Sequence, residues 1–146
     1  MIKNIKDILC TQEIYAIYSA CIFEPTFDKF KIKAEQMQND FSISVYGYFS
    51  NEKIIGVIST QGTGKTVEII GIAVDTKERH SGVGTKLIDY VRDKAQKPII
   101  AETDSDAVLF YKNCGFNIKK IIVSKSNISY SRYVCTLKYT KLRILD

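Results

Sequence analysis

Arg79-His80-Ser81-Gly82-Val83-Gly84-Thr85 places a guanidinium, two hydroxyls and two glycines between an apolar run ending at Val74 and a helical pattern opening near Val83. The chemistry such a stretch can do is anion binding. The first turn of a helix leaves its backbone N–H groups without internal partners, and the helix dipole favours negative charge beside them. Gly82 and Gly84 would let a pyrophosphate approach the backbone closely, Arg79 adds a charge and a fork of donors, and Thr85 adds a hydroxyl. A second stretch, Gly62-Thr63-Gly64-Lys65-Thr66, ends like a P-loop. It has Ser59 where that pattern needs glycine, and Val67-Glu68-Ile69-Ile70 after it reads as a strand, not a helix. We expect a hairpin turn there. The three glycines of a dinucleotide-binding fingerprint are also missing.

The elements that must position the anion loop follow from periodicity. Ile5, Ile8, Leu9, Ile14, Ile17, Tyr18 and Cys21 recur at three- and four-residue steps and predict one amphipathic helix that Pro25 ends. A second helix is expected over 26–39, with Phe27, Phe30, Ile32 and Met37 available for packing. Residues 41–49 then alternate with period two, and 53–60 and 66–74 complete an antiparallel meander. A helix over 83–96, a short buried strand over 98–102, a helix over 107–114 closed by Gly115, and strands over 116–124 and 132–140 finish the chain. The fold class expected is α/β, a single domain with helices flanking one mixed, mostly antiparallel sheet.

Composition sets the bounds. The chain has 146 residues, 45% hydrophobic and 25% charged, enough to bury a core without metal or disulfide. No apolar run approaches the roughly 20 residues of a membrane span, and the N-terminal residues lack the apolar stretch of a signal peptide. Cysteines at 10, 21, 114 and 135 form no Cys-x-x-Cys pair, and His80 is the one histidine, so no metal site is expected. Four such thiols read as reduced cysteines of a cytoplasmic protein. The net charge of +5 is spread along the chain, with no basic helix, so nucleic acid is not expected as a partner.

Two pieces carry a resemblance. Ile72-Ala73-Val74-Asp75, followed by Arg79-His80-Ser81-Gly82-Val83-Gly84, resembles the acetyl-CoA signature of the GNAT-type N-acetyltransferases: a strand, then R/Q-x-x-G-x-G/A, then a helix. Asp104 through Phe116 is similar to the family's N-x-x-A-x-x-F/L-Y-x-x-x-G-F element, with Asp104 where asparagine is common. The likeness implies an acyl-CoA N-acyltransferase-like fold, with an acceptor-side helical region over 1–40, an acetyl-CoA-binding core over 41–116 and C-terminal strands over 117–146. It implies acetyl-CoA as cosubstrate, an amine acceptor, direct transfer in a ternary complex, and a homodimer as an allowed assembly. A non-catalytic acyl-CoA-binding or sensing module on the same fold is the competing expectation.

Residue by residue, the resemblance implies that backbone groups of Ile72, Ala73 and Val74 line the pantetheine arm at a splayed part of the sheet. The Val74 amide would face the thioester carbonyl. Arg79, His80, Ser81, Gly82, Val83, Gly84 and Thr85 would cradle the pyrophosphate, and Asp104, Ala107, Phe110 and Tyr111 would form the other wall. Acetyl transfer needs an amine stripped of its proton, a donor for the carbonyl oxygen and an acid for the departing thiolate. Tyr111 is the acid candidate. Glu68 is one base candidate, because regular alternation over six residues would put it on the face of Val74. Glu102, at the end of the next strand, is the other, acting through water. His80 falls at a variable motif position, Cys114 has no histidine to activate it, and Tyr15, Tyr18 and Phe27 are candidates for an acceptor pocket.

Overall fold

The computed structural model describes residues 1–140. A seven-stranded sheet has the order β1-β2-β3-β4-β5-β7-β6, formed by β1 (Ile2–Asn4), β2 (Ile43–Ser50), β3 (Lys53–Gly62), β4 (Val67–Val74), β5 (Ile99–Thr103), β6 (Asn117–Lys125) and β7 (Ile128–Leu137). Neighbouring strands are antiparallel except β4 and β5. Four helices flank it: α1 (Gln12–Tyr18), α2 (Phe27–Gln38), α3 (Val83–Ala95) and α4 (Val108–Asn113). The mixed, mostly antiparallel architecture agrees with the expectation.

Each face carries its own core. On one, α3 and α4 pack Leu87, Ile88, Val91 and Tyr111 against Ile58, Val67, Ile69, Ile99 and Cys135. On the other, α1 and α2 pack Ile14, Ile17, Tyr18, Phe30, Ala34 and Met37 against Val45, Ile54 and Val57. Side chains as fully buried as Phe30 and Leu87, both 0% exposed, each contribute about 1.5–3 kcal/mol through removal from water.

The amino-terminal helix is shorter than its pattern predicts. Ile2–Asn4 is a strand on the edge of β2, and Ile5 continues that pairing through its amide to Val45 O at 3.0 Å. The helix begins only after Thr11, whose hydroxyl accepts from the Ile14 amide. Ile5 and Leu9 are buried as the pattern requires, but Ile8 is exposed, and so is Ile32 on α2. Three- and four-residue spacing of isoleucines fits a strand leading into a turn as well as it fits a helix. The last hairpin also differs. Ser126 and Asn127 both take positive φ, as in a type I′ turn, so β7 begins at Ile128 and not at 132. That turn has no glycine to announce it.

One irregularity shapes the centre of the sheet. Thr60 pairs with Ile69 and Ser59 with Gly71, leaving Ile70 as a bulge in β4. The Tyr18 hydroxyl lies over this bulge, 2.8 Å from Ser59 Oγ, and Ser59 Oγ lies 3.4 Å from Gly71 O. Burial pushes the Tyr18 phenol up to about 12, so it stays protonated as a donor. A Cβ on Gly71 would fall 2.4 Å from that hydroxyl. Gly71→Ala should therefore cost about 1–3 kcal/mol. Urea unfolding should give Gly71→Ala with Tyr18→Phe a smaller loss than the two single losses combined; strict additivity would mean that the hydroxyl and the glycine do not meet.

Candidate functional site

The sheet opens where β4 and β5 part. They share ladder positions only at Val67 with Ile99 and Glu68 with Ile100, and the bulge at Ile70 follows at once. Beyond it, Asp75 N–H bonds Ile55 O at 2.8 Å. Antiparallel ladder bonds alternate along a strand, so the Ile72 and Val74 amides turn away from β3 and into the gap. A cavity of about 860 Å³ fills this splay. It is lined by Ile70 to Val74, by Glu78 to His80, by Gly82 to Thr85, by Glu102 to Asp104, and by Asp106, Ala107, Phe110 and Tyr111. Ala20, Cys21 and Arg132 complete it.

At one end lies the anion loop. Gly82 is the N-cap of α3 in a left-handed conformation, φ +86°, and no side chain caps the helix. The amides of the first turn are left to a ligand or water. His80 also takes a positive φ, +67°. Arg79, His80 and Thr85 are exposed beside the opening, and Val83 is buried as the anchor of the turn. One expectation needs revision: Ser81 does not line the cavity, and its hydroxyl donates to Glu78 O. Gly84 lines the cavity, and a Cβ there would sit 2.9 Å from the Phe110 ring, so the missing side chain also serves the approach of α4 to α3. The Gly62–Thr66 stretch is a hairpin turn, closed by Thr63 N to Thr66 O at 2.9 Å with Gly64 at φ +79°, as expected.

The second wall is α4 and the turn before it. Asp104 Oδ1 accepts from the amides of Asp106 and Ala107 at 3.0 and 3.1 Å. One of its oxygens therefore holds the turn that leads into α4. Gly115 takes φ +94° at the end of α4, the left-handed position expected of it. Tyr111 is 6% exposed and lines the cavity. Its ring meets Phe110 and Phe116 edge to face, with centroids 5.2 Å apart in both pairs. Burial raises the phenol well above the ordinary tyrosine value. Its hydroxyl is thus a proton donor across the neutral range.

The two carboxylates separate. The bulge reverses the alternation of β4: Val67 and Ile69 belong to the α3/α4 core and Ile72 and Val74 pack against it, while Ile70 faces the α1/α2 core. Glu68 therefore lies on the opposite face from Val74, and it sits where β4 and β5 are still paired, short of the cavity. Six residues of regular alternation would have aligned them; one bulged residue undoes this. Glu102 does line the cavity, and its Oε1 accepts from Arg132 Nε at 3.1 Å.

Cys21 and Arg132 were not singled out by sequence. Cys21, in a turn after α1, donates its thiol to Ile72 O at 3.5 Å. Nothing local marks either residue, because their partners lie 51 and 30 positions away. Tyr15, Tyr18 and Phe27 do not reach the cavity; they pack with Phe30 in the core under α2. Cys114, half-buried, lies 3.4 Å from the Thr85 hydroxyl, and burial raises its thiol too. Burial lifts the Cys21 thiol to about 11. Its alkylation by iodoacetamide, followed by mass spectrometry, should be slow at neutral pH. The rate should climb about tenfold per pH unit toward that value, because only the thiolate reacts. A rate already level at pH 8 would contradict the burial.

A family model for the acetyltransferase (GNAT) family matches residues 11–116, and the chain belongs to that family. No sequence match is found among the curated proteins. Solved structures share the fold. One is the ribosomal-protein-S18-alanine N-acetyltransferase of Escherichia coli, 17% identical, with a TM-score of 0.73 over 98% of this chain and 96% of that one. A Bacillus subtilis acetyltransferase in complex with CoA is 20% identical, with a TM-score of 0.68 over 94% and 97%. An aminoglycoside 6′-N-acetyltransferase complexed with coenzyme A is 15% identical, with a TM-score of 0.74 over 99% of both chains. No helix among the described residues is long and apolar enough to cross a membrane.

Proposed function

We propose that this protein is an acetyl-CoA-dependent N-acetyltransferase that moves the acetyl group directly to a primary amine in a ternary complex. The observation that carries the reading is the splay itself. β4 and β5 part after two ladder positions, and the cavity between them has uncapped helix amides at one end and a buried, protonated tyrosine in its wall. Family membership and the CoA complexes of similar structures support it.

In this reading the pyrophosphate rests on the first turn of α3, beside Arg79 and His80. Pantetheine runs along the Ile72–Val74 backbone, and Ala107 and Phe110 close the far wall. The Val74 amide, free of β3, faces the thioester carbonyl and stabilises charge on its oxygen. The acceptor ammonium gives a proton to Glu102, directly or through water, and its nitrogen attacks the carbonyl carbon. The C–N bond forms and the C–S bond breaks. The departing sulfur takes the Tyr111 proton, and the surplus proton on nitrogen restores the phenol. Glu68 has no part in this scheme. The cytoplasm is the compartment in which the four free cysteines stay reduced.

The test mixes protein, acetyl-CoA and an amine panel and follows free thiol. Thiol release that depends on both acceptor and protein is expected. Calorimetric binding of acetyl-CoA without release across a wide panel would favour the sensing module instead.

A further inference from the structure

Glu102 and Arg132 form the one ion pair among the described residues, in a chain with 21 basic and 16 acidic side chains, and both line the splay cavity. Their placement follows from register. Glu102 pairs with Val134, and Arg132 lies two residues along β7, on the same face. That face is opposite Cys135 and Leu137, which belong to the α3/α4 core. The pair therefore stands on the α1/α2 side of the sheet, away from the anion loop at the start of α3. The walls that side contributes, Ala20, Cys21, Ile70 and Gly71, carry no charge.

The chemistry of the pair is uneven. Arg132 commits only Nε, so its four Nη donors are unspent among the described residues. Glu102 likewise accepts through one oxygen. The side chains are 30% and 50% exposed, which leaves both reachable from the cavity. A ligand with one positive and one negative pole can bind both at once. Because the two protein groups touch, the two poles of the ligand must also be close together. In an α-amino acid the ammonium and the carboxylate are borne on a single carbon.

Building on the transferase reading above, we propose that the acceptor is an α-amino acid, with its carboxylate held by Arg132 and its amine delivered to Glu102. Arg132 is then the specificity-determining residue. A fork of guanidinium N–H groups matches a carboxylate and offers nothing comparable to an amide or an ester.

The test compares the L-amino acids with their L-amino-acid amides as acceptors, each pair by its ratio of kcat/KM. The free acid of the preferred side chain should lead its amide by about 10- to 100-fold, the worth of one charge-assisted contact. Arg132→Gln should bring that ratio close to one, and Arg132→Lys should keep part of it. The ratio cancels any effect of the substitution on Glu102 itself. Calorimetry of the same pairs on protein saturated with CoA reads carboxylate recognition without turnover. Equal binding of acid and amide by wild-type protein, or a preference that survives Arg132→Gln, overturns the proposal. Absence of thiol release alongside calorimetric preference for the acid would strike the transferase reading and leave carboxylate recognition standing.

Discussion

Replacing Tyr111 by phenylalanine should lower kcat by about 10²-fold or more, the usual contribution of a positioned general acid, while the dissociation constant for acetyl-CoA changes by less than about twofold. The substitution removes one oxygen from a ring that is 6% exposed and held edge to face between Phe110 and Phe116. No hydrogen bond among the described residues engages that hydroxyl, so its loss orphans no partner. The fold has little reason to respond, and the thermal midpoint should stay within a few degrees. The acid role rests on protonation. A phenol whose folded value is raised by burial keeps its proton at every pH where an ordinary tyrosine does, and beyond. An alkaline fall in kcat between pH 8 and 10 therefore cannot come from Tyr111, and the Phe variant should retain that limb at its reduced level. Unaltered kcat with a good acceptor would remove Tyr111 from the reaction and leave it a packing residue.

What could be read from sequence, and what could not, divides by the range of the interaction. The start of α3 was legible because its signal is local: glycine at the N-cap, an apolar helix period after it and a strand before it. Gly115 at the end of α4 was legible for the same reason. Alternation told strand from helix for β2, and apolar runs set off by turn residues marked β3 and β4. Regular alternation along β4 failed at Ile70, because a bulge is a property of two paired strands and Ser59 lies on the partner. That failure put Glu68 on the wrong face. On the α1/α2 side of the cavity the individual lining residues were hidden. Cys21 and Arg132 reach the cavity from opposite ends of the chain, and neither carries a motif. At Gly84 the local pattern showed the bare backbone but not the Phe110 ring packed against it, which comes from a helix 24 residues further on.

Gly82→Asn and Gly82→Val should both weaken acetyl-CoA binding by about tenfold or more in calorimetry, and a matched pair at Gly64 should not. The comparison works because the two glycines are alike in isolation. Gly82 has φ +86° and Gly64 has φ +79°, and a Cβ at either would meet nothing within 4 Å. A residue other than glycine in this region costs roughly 1–2 kcal/mol, and asparagine less. The loss of stability on urea unfolding should thus be similar at the two sites, larger for valine than for asparagine. Location separates them. Gly82 caps α3 beside first-turn amides that no side chain among the described residues caps, so a side chain there would occupy the space that the proposed pyrophosphate site needs. Gly64 turns a hairpin whose strands continue on both sides, with Lys97 Nζ bonded to its carbonyl at 2.8 Å. If strain alone governed affinity, Gly64→Val would weaken binding as much as Gly82→Val, and Gly82→Asn would bind nearly as well as wild type. Either result would move the pyrophosphate away from the start of α3.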